Sequence, residues 1–121
     1  MTLSQLLNGG ISLVSANIRK GKAEGPLCYY LESHDLVLLQ EVSDTSLLAW
    51  NKVQERHPGS SVWKSVCGRK HGVVVVAKST IASRVSMVKQ DNAGQLLWLK
   101  VDCVSFFVHI VCLYGSNVPA E

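Results

Sequence analysis

Residues 11–17, Ile-Ser-Leu-Val-Ser-Ala-Asn, alternate imperfectly between apolar and polar positions, the pattern of a strand in a sheet covered on both faces. Gly25-Pro26 suits a helix start, because proline's fixed φ is tolerated at the first helical position. Leu27, Tyr30, Leu31 and His34 then follow at i, i+3, i+4 and i+7. Residues 35–41, Asp-Leu-Val-Leu-Leu-Gln-Glu, form a compact apolar run that predicts a buried central strand with the Glu41 carboxylate at its carboxyl tip. Ser43 or Asp44 is placed to cap a second helix, whose stripe of Leu47, Ala49, Trp50 and Val53 ends at His57-Pro58-Gly59. Beyond Gly59 the chain changes character. Runs at 61–66, 73–77, 85–88, 96–101 and 104–113 are β-branched or alternating, and polar or glycine-bearing turns at 68–72, 79–80 and 91–94 separate them.

Two strand–helix–strand crossovers followed by a meander predict an α/β (α+β) fold: a mixed, mostly antiparallel sheet with helices on one face. The other face then needs cover. The last run is apolar on both sides, with Val104, Phe106, Val108, Ile110 and Cys112 on one and Phe107, Val111 and Leu113 on the other. With 47% hydrophobic and 17% charged residues in 121, the chain is rich in apolar surface for its size, which suggests a face that belongs against something outside it. No repeat or linker divides it, so residues 1–121 are expected to be one domain or part of one.

The net charge of +3 favours a phosphate polyanion only mildly. Cys28, Cys67, Cys103 and Cys112 show neither zinc-finger nor disulfide-framework spacing and are expected to be small core residues in a reducing compartment. Trp50, Trp63 and Trp98 are expected to be packing residues, and His109 a hydrogen-bonded strand histidine. No run is long enough for a membrane span, and no basic residue precedes Arg19 as a secretory signal would need, so an intracellular location is expected. The segment 16–23, Ala-Asn-Ile-Arg-Lys-Gly-Lys-Ala, is not a nucleotide-binding P-loop: Ala16 stands where the first glycine belongs and Ala23 lacks the metal-binding hydroxyl, so no nucleotide cofactor is expected.

Three apolar strands end in polar groups: Ala16-Asn17-Ile18-Arg19, Leu38-Leu39-Gln40-Glu41 and Tyr114-Gly115-Ser116-Asn117. In that order, with the glycine-led run Gly72-Val73-Val74-Val75-Val76 between them, they resemble the N-terminal half of the endonuclease/exonuclease/phosphatase superfamily, closest in look to non-LTR retrotransposon and apurinic-type endonuclease domains. The resemblance implies the N-terminal half of a four-layer α/β sandwich and a Mg²⁺-dependent phosphodiesterase, with Mn²⁺ as a substitute and DNA as partner. It implies Glu41 as metal ligand with Asn17 beside it, and Asn17, Tyr114 and Asn117 as catalytic groups that orient phosphate and stabilise the charge developing on it. Arg19, Lys20, Lys22, Arg69 and Lys70 would form a nucleic-acid rim. A DNA substrate would make the nucleus a natural address.

Two positions depart from the family pattern. Arg19 stands where apurinic endonucleases carry an acidic residue, and the Tyr114–Asn117 loop lacks its usual proline. The family's C-terminal half supplies an Asp-x-Asn pair, a second metal carboxylate and an Asp-His pair, so the chain alone is expected to be inactive or nearly so. Other readings stay open: a phosphatase or RNA nuclease of the same superfamily, and a non-catalytic remnant or interaction module that uses its bare apolar sheet face.

Overall fold

The computed structural model describes residues 11–67, 71–91 and 93–113. Among the described residues ten elements follow in order: β1 (Leu13–Asn17), α1 (Glu24–Tyr30), β2 (Leu36–Gln40), α2 (Trp50–Arg56), β3 (Ser61–Cys67), β4 (His71–Ala77), α3 (Ser79–Ala82), β5 (Val85–Gln90), β6 (Leu96–Asp102) and β7 (Phe107–Leu113). They build two sheets, a mixed one in the order β1-β2-β4-β3 and an antiparallel one in the order β5-β6-β7. This is an α+β arrangement in keeping with part of a layered sandwich.

The first crossover sets the rest. A helical return from β1 makes β2 parallel to it, with Leu13 opposite Leu36 and Asn17 opposite Gln40. Strand β4 then runs antiparallel between β2 and β3. Its stretch from Val73 to Ala77 is central and covered on both sides, which suits an unbroken apolar run, and Val73, Val74, Val75, Val76 and Ala77 are all buried. One face of the sheet, with Val37, Leu39, Val74 and Val76, packs against Leu27 and Leu31 at α1 and Val53 of α2. Each such side chain contributes roughly 1.5–3 kcal/mol when fully buried.

The cover expected from outside the chain comes in part from within it. The meander is not a continuation of the first sheet: β5–β7 form a second layer that lies over β3 and β4, joining Leu97, Leu99, Val101, Ile110 and Cys112 to Val73, Val75 and Ala77 in a second core. The single turn of α3, where only a loop was expected, makes this jump, with Ile81 buried at the seam. The last strand is also shorter than its apolar run. Val104 adopts φ 74° in the β6–β7 hairpin, where Cys103 N–H donates to the Phe106 carbonyl at 2.9 Å. The second helix begins at Trp50 rather than at Ser43, whose N–H is instead taken up by the Ser46 hydroxyl at 3.0 Å in the preceding turns.

Cys103 and Cys112 are buried, Cys28 and Cys67 half-buried, and all four are free thiols. Trp50 and Trp63 pack against the two cores. Trp98 does not: Leu97 and Leu99 point inward, so Trp98 stands on the outer face, where its indole N–H donates to His109 Nδ1 at 3.0 Å.

Candidate functional site

Parallel pairing brings the carboxyl ends of β1 and β2 to one edge of the sheet. Asn17 lies opposite Gln40, and Glu41 follows at once. The two ends are stitched by backbone: Ile18 N–H donates to the Gln40 carbonyl at 3.1 Å, and Lys20 N–H to the Glu41 carbonyl at 2.6 Å. The amide tipping the first strand and the carboxylate following the second therefore belong to the same rim.

Local chemistry explains the tight exit from β1. Asn17 Oδ1 accepts the Arg19 N–H at 2.8 Å, an Asx-type turn that lets the chain reverse without another strand to pair with. Arg19 and Lys20 take φ of 50° and 64°, and Glu41 takes 53°. Left-handed backbone costs a residue with a side chain about 1–2 kcal/mol. Among the described non-glycine residues only Val104 shares it, so the strain is concentrated at this rim.

Gln40 Nε2 donates to Ser15 Oγ at 2.6 Å, which lays the Gln40 carboxamide across β1 on the face shared with Ser15 and Asn17. The second sheet rests on β3 and β4 and leaves Ser15 and Asn17 exposed, so this end of β1–β2 is an open polar shelf. Arg19, Lys20 and Lys22 are exposed beside it. Glu41 is half-buried, and among the described residues no hydrogen bond or ion pair engages its carboxylate.

Gly72 holds the far side. Its carbonyl accepts the Val42 N–H at 3.1 Å, and a β-carbon there would lie 2.8 Å from the Val42 carbonyl oxygen and 2.9 Å from Val66 Cα. The glycine that leads β4 is thus what lets the chain pass directly after Glu41.

A cavity of ≈ 260 Å³ opens beyond Val42, between Ser43 and Asp44 on one side and Lys64, Ser65, Val66 and Asp91 on the other. The Asp91 carboxylate accepts the Ser65 hydroxyl at 2.6 Å and the N–H groups of Gln95 and Leu96 at 3.2 and 3.1 Å. That hydroxyl above all, with the amides behind it, holds the Asp91 carboxyl below the usual range. Sequence reading passed Asp91 over as a turn residue. Its only signal was an aspartate ahead of Gly94, which is common in turns without any site.

The structure therefore gathers Asn17, Glu41, Arg19, Lys20 and Lys22 at one end of the sheet. Tyr114, Asn117, Arg69 and Lys70 lie outside the described residues. No three His, Cys, Asp or Glu side chains cluster in metal-binding geometry among the described residues. A carboxylate and two carboxamides carried at the same strand ends make an oxygen donor set of the kind that suits a hard divalent cation such as Mg²⁺, which leaves much of its shell to water and phosphate.

No protein-family model and no curated protein matches this sequence. Solved structures do match in fold. A truncated TDP2 from Caenorhabditis elegans is similar at TM-score 0.59 and 19% identity, over 93% of this chain and 49% of that one. The endonuclease domain of TRAS1, a telomere-specific non-LTR retrotransposon, is similar at TM-score 0.59 and 10% identity, over 90% and 48%. TDP2 of D. rerio, complexed with single strand DNA product, is similar at TM-score 0.53 and 14% identity, over 84% and 44%. The chain spans about half the length of the structures it matches, and over that span it shares their fold, as the resemblance of its strand ends led us to expect.

Proposed function

We propose that this chain is part of a Mg²⁺-dependent phosphodiesterase domain, an endonuclease acting on a DNA backbone, and that it carries the half of the site centred on Glu41 and Asn17. The observation behind the reading is the shared rim: a strained, partly buried carboxylate one residue past the strand position that pairs with Asn17. Glu41 and the Asn17 carboxamide would hold the metal, which when bound supplies charge neutralisation for a phosphoryl oxygen. Asn17 has already committed one lone pair of its Oδ1 to the Arg19 N–H and keeps the other and its NH₂ for a metal, water or phosphate oxygen. Arg19, Lys20 and Lys22 would bind flanking phosphates, and their side chains add no sequence preference in doing so. Arg19 in place of an acidic residue shifts this rim from metal ligation towards phosphate binding.

Tyr114 and Asn117 would add donors towards the phosphoryl group, and Arg69 and Lys70 further phosphate contacts. A positioned base and a second set of carboxylates would come from the other half of a longer domain, so the chain alone binds without turning over.

Binding of a fluorescent single-stranded DNA to the purified chain tests the reading. Mg²⁺ should strengthen binding, and Glu41→Gln should remove that increment while leaving metal-free binding intact. Binding indifferent to Mg²⁺, or a Mg²⁺ effect that survives Glu41→Gln, contradicts it. Supercoiled DNA incubated with the chain should stay uncut.

A further inference from the structure

Asn17 and Gln40 are partners in register, and paired positions of parallel strands share a face, so Ser15, Asn17, Leu38 and Gln40 stand on one side of β1–β2. Along that side β2 reads Leu36, Leu38, Gln40. The two leucines belong to the core shared with the second sheet, and the third residue is polar. Gln40 is half-buried, and its side chain has a fixed partner rather than only water. It crosses to β1 and reaches back along it, past its own pairing partner Asn17, where Nε2 donates to Ser15 Oγ at 2.6 Å.

The two carboxamides are therefore anchored by opposite ends. Asn17 is held through its oxygen, which accepts the Arg19 N–H at 2.8 Å, whereas Gln40 is held through its nitrogen. What each has left differs accordingly. The NH₂ of Asn17 is a donor, suited to a phosphate oxygen. Gln40 Oε1 is an acceptor, and among the described residues no hydrogen bond engages it. A hard cation takes oxygen ligands, and the water it holds donates to acceptors.

We propose that Gln40 is a further binding residue of this rim, its Oε1 accepting from water held by a divalent cation, and that Ser15 is the positioning residue that makes this so. The proposal rests on the cation site proposed at Glu41. A planar amide pinned at its nitrogen cannot exchange its two ends, so the Ser15 hydroxyl decides that an oxygen is left for the rim rather than an NH₂ group, which would repel a cation. A neutral oxygen also adds an acceptor without the charge of another carboxylate, which would oppose an incoming phosphate.

Mn²⁺ binding to the full 121-residue chain, followed by electron paramagnetic resonance of the free ion, tests it. Ser15→Ala should weaken binding by about tenfold, and Ser15→Thr, which keeps the hydroxyl, should restore it. Gln40→Leu should cost as much as Ser15→Ala, and the double variant no more than either, because one residue acts through the other. Ser15 is exposed, so Ser15→Ala should leave far-UV circular dichroism unchanged, while the NMR signals of the Gln40 side-chain NH₂ move even without metal. Binding that needs Glu41 but is unchanged in Ser15→Ala overturns this proposal alone, as do losses from Ser15→Ala and Gln40→Leu that simply add. No Mn²⁺ binding, or binding indifferent to Glu41→Gln, overturns the cation site and this proposal together.

Discussion

Asn17 has two tasks that substitution can separate. Its Oδ1 holds the turn to Arg19, and its remaining polar capacity faces the rim. Asn17→Asp keeps the acceptor and adds a charge beside Glu41, so divalent-cation affinity should rise in titration calorimetry. Asn17→Ala should lower it and release the strained Arg19-Lys20 turn. A similar separation applies at Asp91, whose depressed carboxyl stabilises the folded chain at pH above the unfolded value, with the contribution lost as pH falls through the lower folded value. Asp91→Asn should therefore destabilise the protein by about 1 kcal/mol near neutrality and flatten the acid limb of a stability–pH curve below about pH 4, measured by urea unfolding. Burial pushes the Cys112 thiol up to about 11, so alkylation at pH 8 followed by mass mapping should find it protected while the chain is folded.

Among the elements, Gly72 bears the heaviest constraint. Gly72→Ala drives a methyl group into the Val42 carbonyl and the Val66 backbone and should cost on the order of 1–3 kcal/mol, read by thermal unfolding. The strands were legible from their alternation, and the rim was legible because a helical crossover forces parallel neighbours whose carboxyl ends coincide. Two features were not. The division into two sheets depends on the one-turn α3, too short to leave a periodic signal over residues 79–82. The left-handed backbone at Arg19, Lys20 and Glu41 carries no glycine to announce it. Trp98 was misplaced for a related reason: its neighbours Leu97 and Leu99 mark a covered strand, and the opposite face of that strand has no cover among the described residues.

At the scale of the molecule, two layers account for the high apolar content only in part. The β4 core is closed, whereas the outer face of β5–β7 keeps Phe107, Val111 and Leu113 in solvent, with Lys100 Nζ 4.3 Å above the Phe107 ring. The polar shelf lies in the other sheet, at the ends of β1 and β2. The cations beside the shelf predict a salt-sensitive interaction with single strands: replacing both Lys20 and Lys22 by Gln should reduce the slope of log K against log salt by about 1.4. No helix among the described residues is long and apolar enough to cross a membrane.

The most direct test of the shared rim is paramagnetic: Mn²⁺ titrated into the isotopically labelled chain, with amide relaxation followed by NMR. Selective broadening should centre on Asn17, Gln40, Glu41 and their neighbours, and vanish in Glu41→Gln. Broadening centred on another part of the molecule, or unchanged in that variant, would contradict the account.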